Sequence, residues 1–122
     1  MSKPKYSFIK NTKYALAGLK DMIQTEKSFR IELILFVILN SIVYLFPFDF
    51  IYKTILSLSL FLPLFSEIIN SAIERVVDLY TSEYHELAKR AKDVGAFLVF
   101  LSFLVTVIIW IVVISINLNA FN

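Results

Sequence analysis

The chain has 122 residues, 58% of them hydrophobic and 18% charged, with a formal net charge of +2 and a mean hydropathy of +0.74. A water-soluble domain of this size would lack the polar surface to cover itself, and the length leaves no room for two domains or a wide pore, so one compact membrane unit over residues 1–122 is expected. The absence of cysteine excludes disulfides, thiolate metal sites and thiol nucleophiles, and a single histidine, His85, excludes a zinc site built from imidazoles.

Residues 5–27 are basic and aromatic, with Ile9, Leu16, Leu19 and Ile23 spaced to share one helical face. This pattern predicts an amphipathic helix lying at the membrane surface, its lysines toward anionic headgroups; the plainer alternative is a solvated arm that only sets topology. Residues 31–48 form a first apolar run, ended by Pro47 and Asp49, about 27 Å long as a helix and just long enough to cross. Asn40 and Ser41 within it read as interhelical hydrogen-bond partners. A second run spans 54–77, with charges entering its last third at Glu67, Glu74 and Arg75. Residues 78–93 read as a charged loop. The third run, 94–118, carries no charge and contains Trp110, which reads as lipid-facing. The fold class expected is an all-α membrane protein with three transmembrane helices and an N-terminal surface helix.

Ten of the 12 Lys/Arg lie before the first span or between the second and third, and an eleventh, Arg75, lies at the end of the second next to that loop, while the short connection between the first two holds only Lys53. By the positive-inside rule, the N-terminus and the 78–93 loop are expected to be cytoplasmic.

Glu67, Asn70, Glu74 and Asp78 follow spacings of 3, 4 and 4, which confine them to an arc of roughly 80° on the second helix. Glu67 is expected in or near the hydrocarbon, where an ionised side chain costs a few kcal/mol unless paired or wetted. Ion coupling in a transporter, a structural ion pair, and chemistry on a lipid at the interface could each retain it. The stripe continues through Glu83, Glu86 and Asp93, interspersed with Arg75, Lys89, Arg90 and Lys92. Carboxylates mixed with cations suit a Mg²⁺–nucleotide site, in which acids and phosphate oxygens ligate the metal and Lys/Arg neutralise the remaining charge. No GxxxxGK[ST] occurs, and Gly18 and Gly95 are too far apart to form a glycine-rich loop, so any ATP site must rest on side chains. His85 reads as a solvated loop residue or as one touching the nucleotide.

The segment SEIINSAIERVVDLYTSEYHELAKRAKDVGAF at 66–97 resembles the small prokaryotic diacylglycerol kinase family, whose signature is E-x-x-N-[ST]-A-[IV]-E-x-x-V-D followed by a short loop and A-K-D. The matching positions are Glu67, Asn70, Ser71, Ala72, Ile73, Glu74, Val77 and Asp78, then Ala91, Lys92 and Asp93. The similarity extends to Gly18 and Leu19, and to Glu26, Phe29, Arg30 and Glu32 before the first span. It implies an ATP-dependent lipid kinase of the cytoplasmic (inner) membrane, a homotrimeric helical bundle with active sites shared between subunits, using Mg²⁺ and no nucleic acid. It also implies roles: Glu67 as the base that takes the proton of the lipid hydroxyl, and Glu26 and Glu74 as metal ligands. Asn70 would lie beside the transferred phosphate, with Lys92 as a phosphate-neutralising cation. Asp78 and Asp93 would support the nucleotide site, and Tyr14 would pack near the adenine; Glu83 and His85, read from the charged loop and not from the resemblance, are further candidates for nucleotide contact.

Pro63, four residues before Glu67, departs from the family pattern and is expected to kink the second span. Ile31 and Ala96 stand where some relatives have polar residues, which bears on lipid specificity. The substrate implied is diacylglycerol, converted to phosphatidic acid, because SEYHELAKRAKD resembles that branch; the alternative is undecaprenol, phosphorylated by related enzymes. A more distant alternative is a small proton-coupled exporter, but such proteins have four spans with the acid in the first.

Overall fold

A computed structural model describes residues 5–120, whose regular structure is entirely α-helical. α1 (Phe8–Thr25) starts at Ser7, an extended residue whose hydroxyl accepts from the Lys10 N–H at 3.4 Å, capping one of the free donors of the first turn. It stops at Glu26, also extended, which serves as the N-cap of α2 (Lys27–Leu45). The corner between the two helices is therefore one residue wide. Arg30 holds it, its Nη1 donating to the carbonyls of Ile23 at 2.8 Å and Gln24 at 3.2 Å, a cation satisfying free acceptors at a helix C-terminus.

α2 gives way at Phe46, which is extended as expected of the residue before a proline. The chain then turns into α3 (Phe50–Ser59) and, one residue later, α4 (Phe61–Tyr80). Pro63 accounts for that interruption. It has no N–H for the carbonyl of Ser59, four residues back, and its ring crowds that oxygen. The orphaned Ser59 carbonyl instead faces the Thr106 hydroxyl at 3.1 Å, whose proton is shared with the Ser102 carbonyl at 2.9 Å. Ser59 Oγ accepts from Trp110 Nε1 at 2.9 Å and donates to the Leu56 carbonyl at 2.7 Å. Polar backbone freed inside an apolar layer must find a protein partner, and here α5 (Glu86–Ala120) supplies it. Trp110 is thus half-buried against the break, where a lipid-facing position was expected. The break falls at Leu60 and Pro63 occupies the first turn of α4, where a missing donor costs least. Glu67 consequently lies on an unbroken helix.

The helices outrun the apolar segments that mark them. α2 begins at Lys27 where 31 was expected, and the second helical path runs from Phe50 to Tyr80 where 54–77 was expected. The expected 78–93 loop shrinks to 81–85, since α5 begins at Glu86 and is about 52 Å long for its 35 residues. Loss of apolar character marks where a helix leaves the hydrocarbon, not where it unravels, and the solvated first turns of α5 are held by an i,i+4 pair, Lys89–Asp93 at 2.7 Å.

α5 packs along α4, and α2 lies against the N-terminal part of α4 and against α3. Two small cores result: Met22, Phe29 and Leu64 join α1, α2 and α4, while Val43, Leu56 and Val113 join α2, α3 and α5. Ser66 and Ser102, 2.7 Å apart with one hydroxyl donating to the other, add a polar tie between α4 and α5. Asn40 accepts from Ser57 of α3, an interhelical bond as expected, whereas Ser41 donates to Val37 of its own helix. Three helical segments, Lys27–Leu45, Phe50–Tyr80 and Glu86–Ala120, are long and apolar enough to cross a membrane.

Candidate functional site

The four polar residues of the ridge lie along α4, and each meets a different neighbour. Glu67 is half-buried and its carboxyl contacts that of Glu32 on α2. Such a contact is a hydrogen bond only when one of the two carboxyls carries a proton. Glu32 Oε2 is buried without a partner among the described residues, and Glu32 closes one end of a groove of about 530 Å³ between α2 and α5. Leu35, Phe36, Pro63, Phe103 and Trp110 make that groove apolar. Its makeup suits a hydrocarbon chain with a polar end at the acids.

Glu32 was given no role by sequence reasoning. The available signal was its position as the one carboxylate within the first apolar run, 31–48. What spacing could not reveal is that α2 and α4 bring it to Glu67, 35 positions away in the chain.

One turn along α4, Asn70 Nδ2 donates to Glu74 Oε1 at 3.2 Å. This bond orients the Glu74 carboxylate and leaves it further lone pairs. At the end of the ridge, Lys92 of α5 donates to Asp78 at 2.7 Å. The pair opens onto a pocket of about 320 Å³ whose polar wall includes Asp78, Thr81, Glu83, His85, Lys92 and Asp93. Five residues singled out from the sequence thus surround one cavity. The turn at 81–85 is shaped locally: the Glu83 N–H donates to Thr81 Oγ1 at 3.1 Å, and His85 Nδ1 accepts from the Leu87 N–H at 3.2 Å, capping α5. The Tyr84 hydroxyl donates to Glu86 at 2.8 Å, which pushes its pKa above the ordinary tyrosine value.

Glu67, Asn70 and Glu74 lie along the ridge outside this pocket's wall, and Tyr14 and Glu26 join neither the ridge nor the pocket within the chain. Tyr14 is exposed on α1 and is absent from the pocket wall. Glu26 accepts from Arg75 Nη2 at 3.3 Å, and Arg75 also binds Asp21 and, at 2.8 Å, Thr25. Arg75 follows Glu74 directly, so it points about 100° away around α4 and ties the helix to α1. Glu26 and Glu74 therefore face different neighbours in one subunit.

Among the described residues no group of three or more His, Asp or Glu side chains is arranged to hold a metal ion. Mg²⁺ bound as part of a nucleotide complex takes one or two carboxylates plus phosphate oxygens and water, and needs no dedicated protein cage. Glu74, already oriented by Asn70, has the required chemistry.

A family model described as prokaryotic diacylglycerol kinase matches residues 13–114. A diacylglycerol kinase of Escherichia coli (strain K12) is 40% identical over 102 residues, covering 84% of each chain. One from Haemophilus influenzae is 38% identical over 102 residues, 84% of this chain and 86% of its own. A third, from Pseudomonas aeruginosa, is 33% identical over 99 residues, 81% and 80% of the two chains.

Proposed function

Since the chain belongs to the prokaryotic diacylglycerol kinase family, we propose that it transfers the γ-phosphoryl group of ATP to the free hydroxyl of a membrane lipid alcohol, converting diacylglycerol to phosphatidic acid. The observation that carries this reading is the polar ridge of α4, which runs from an acid pair at the end of an apolar groove to a charged pocket at the turn. One rigid helix thereby links a site suited to an oily acceptor with one suited to a water-soluble donor.

In this reading the lipid lies in the groove with its hydroxyl at Glu67. An alcohol is a weak nucleophile near neutral pH, and a carboxylate within reach removes its proton as the oxygen attacks the γ-phosphorus and the bond to ADP breaks. Glu67 holds that proton. Glu74 and Glu26 would hold Mg²⁺, which when bound would reduce the repulsion between the phosphates and the attacking oxygen. Asn70 keeps Glu74 oriented beside the transferred phosphate, Lys92 neutralises phosphate charge, and Asp78, Glu83, His85 and Asp93 border the nucleotide. Glu67 and Glu74 are separated by about 10 Å along the helix, a span that a lipid hydroxyl and a triphosphate fill together.

Glu26 and Tyr14 complete the site in a homotrimer, where α1 of one subunit covers the pocket of the next. The wide exposure of apolar side chains on α2 and α5 supports burial against lipid and neighbouring subunits. We place the protein in the inner membrane with its N-terminus and the 81–85 turn in the cytoplasm, where the lysine excess and ATP both lie. The exposed Ile9, Leu16 and Leu19 of α1 then rest in the interface.

Labelled ATP offered with diacylglycerol, undecaprenol and ceramide side by side tests the assignment. Label in phosphatidic acid is expected. Label chiefly in undecaprenyl phosphate would move the substrate to the isoprenoid alcohol while keeping the reaction, and no label in any lipid would refute it.

A further inference from the structure

We infer that Gly95 is a positioning residue for the metal–nucleotide site: its bare Cα is the seat of the Asn70 carboxamide, and that seat keeps Asn70 bonded to Glu74. Gly95 is buried in α5 where it crosses α4. A Cβ built there would overlap Asn70 Oδ1 and stand 3.3 Å from Asn70 Cγ, with Ile73 Cδ1 in ordinary contact at 3.8 Å. The conflict is thus with one side chain and not with backbone. Asn70 Oδ1 is buried with no partner among the described residues, while its Nδ2 donates to Glu74 at 3.2 Å.

The amide has one sensible orientation. Turned over, it would set its oxygen against the Glu74 carboxylate, two acceptors facing each other. With the nitrogen toward Glu74, the oxygen must lie over α5, and only a residue without a side chain leaves room for it there. A methyl at 95 can be accommodated by rotating Asn70 away, which breaks its bond to Glu74. Alanine is also a better helix former than glycine, so the substitution should leave the fold intact while disturbing the site. Partners that orient a metal ligand typically govern metal affinity even though they never touch the ion.

This inference rests on the assignment of Glu74 to the metal. The test is titration of Mn²⁺ by electron paramagnetic resonance on the purified protein with a non-hydrolysable ATP analogue, alongside a thermal midpoint. Gly95→Ala should weaken Mn²⁺ binding by roughly 10- to 100-fold with a midpoint equal to or above that of the parent. Gly18→Ala is the control, because a Cβ at Gly18 meets nothing within 4 Å, and it should bind Mn²⁺ as the parent does. In an Asn70→Ala background, Gly95→Ala should cause no further loss. Parental Mn²⁺ affinity in a folded Gly95→Ala, an equal additional loss in the Asn70→Ala background, or a Gly95→Ala chain that does not fold would each overturn the inference. Glu74→Gln separates the two layers. If it leaves Mn²⁺ binding unchanged, the metal role of Glu74 fails; if it weakens binding and Gly95→Ala does not, only the seat at Gly95 fails.

Discussion

The carboxyl groups of Glu32 and Glu67 meet between α2 and α4, and Glu32 also borders the apolar groove. The contact gives Glu67 a fixed neighbour at the place where a lipid hydroxyl would arrive. Glu32→Gln retains an N–H that can donate to Glu67, whereas Glu32→Leu retains no polar atom. The glutamine variant should therefore keep more activity, by about tenfold, as expected for a hydrogen bond to a charged group. Steady-state kcat and lipid KM for the two variants check this, and equal losses would show that Glu32 acts only by filling space.

The break at Leu60 depends on a donor from another helix. Thr106→Val removes the hydroxyl that faces the Ser59 carbonyl and leaves a buried acceptor unpaired, a loss of about 1–3 kcal/mol. Pro63→Ala restores an N–H four residues after Ser59, so the same Thr106→Val change should cost measurably less in that background. Unfolding in mixed detergent, read as a double-mutant cycle, measures the difference. Identical costs in both backgrounds would mean that Thr106 does not serve the oxygen that Pro63 leaves free.

Arg75 reaches Asp21, Thr25 and Glu26 and ties α4 to α1. Exposed ion pairs contribute little to global stability, so Arg75→Gln should shift the thermal midpoint only slightly. Hydrogen exchange in α1 should nevertheless quicken, because this tie works beside the small Met22–Phe29–Leu64 core and the Arg30 corner in holding the helix down. Unchanged protection of α1 would assign its docking to apolar contacts alone.

Much of this architecture is legible from residue order because its determinants are local. Apolar runs of membrane length mark the spans, and the 3, 4, 4 spacing places Glu67, Asn70, Glu74 and Asp78 on one face of a helix that the structure has as continuous α4. Helix ends are less legible. The loss of apolar character at residue 93 marks a change of solvent while the Lys89–Asp93 pair keeps the backbone helical. Pro63 signals a disruption, but its position at Leu60 follows from which carbonyl the ring crowds and from Thr106, 47 positions away from Ser59, being present to satisfy it. The meetings of Glu32 with Glu67 and of Gly95 with Asn70 are products of helix packing, which no periodicity encodes.

The reaction proposed is phosphoryl transfer between donor and acceptor sites on one ridge of α4, with Glu67 as the base. It is tested most directly by single-turnover transfer of label from ATP to diacylglycerol in vesicles, comparing the parent with Glu67→Gln. The parent should form labelled phosphatidic acid, and Glu67→Gln should be slower by about 10²–10⁴-fold while binding ATP as the parent does. Transfer by Glu67→Gln at close to the parental rate would contradict the account.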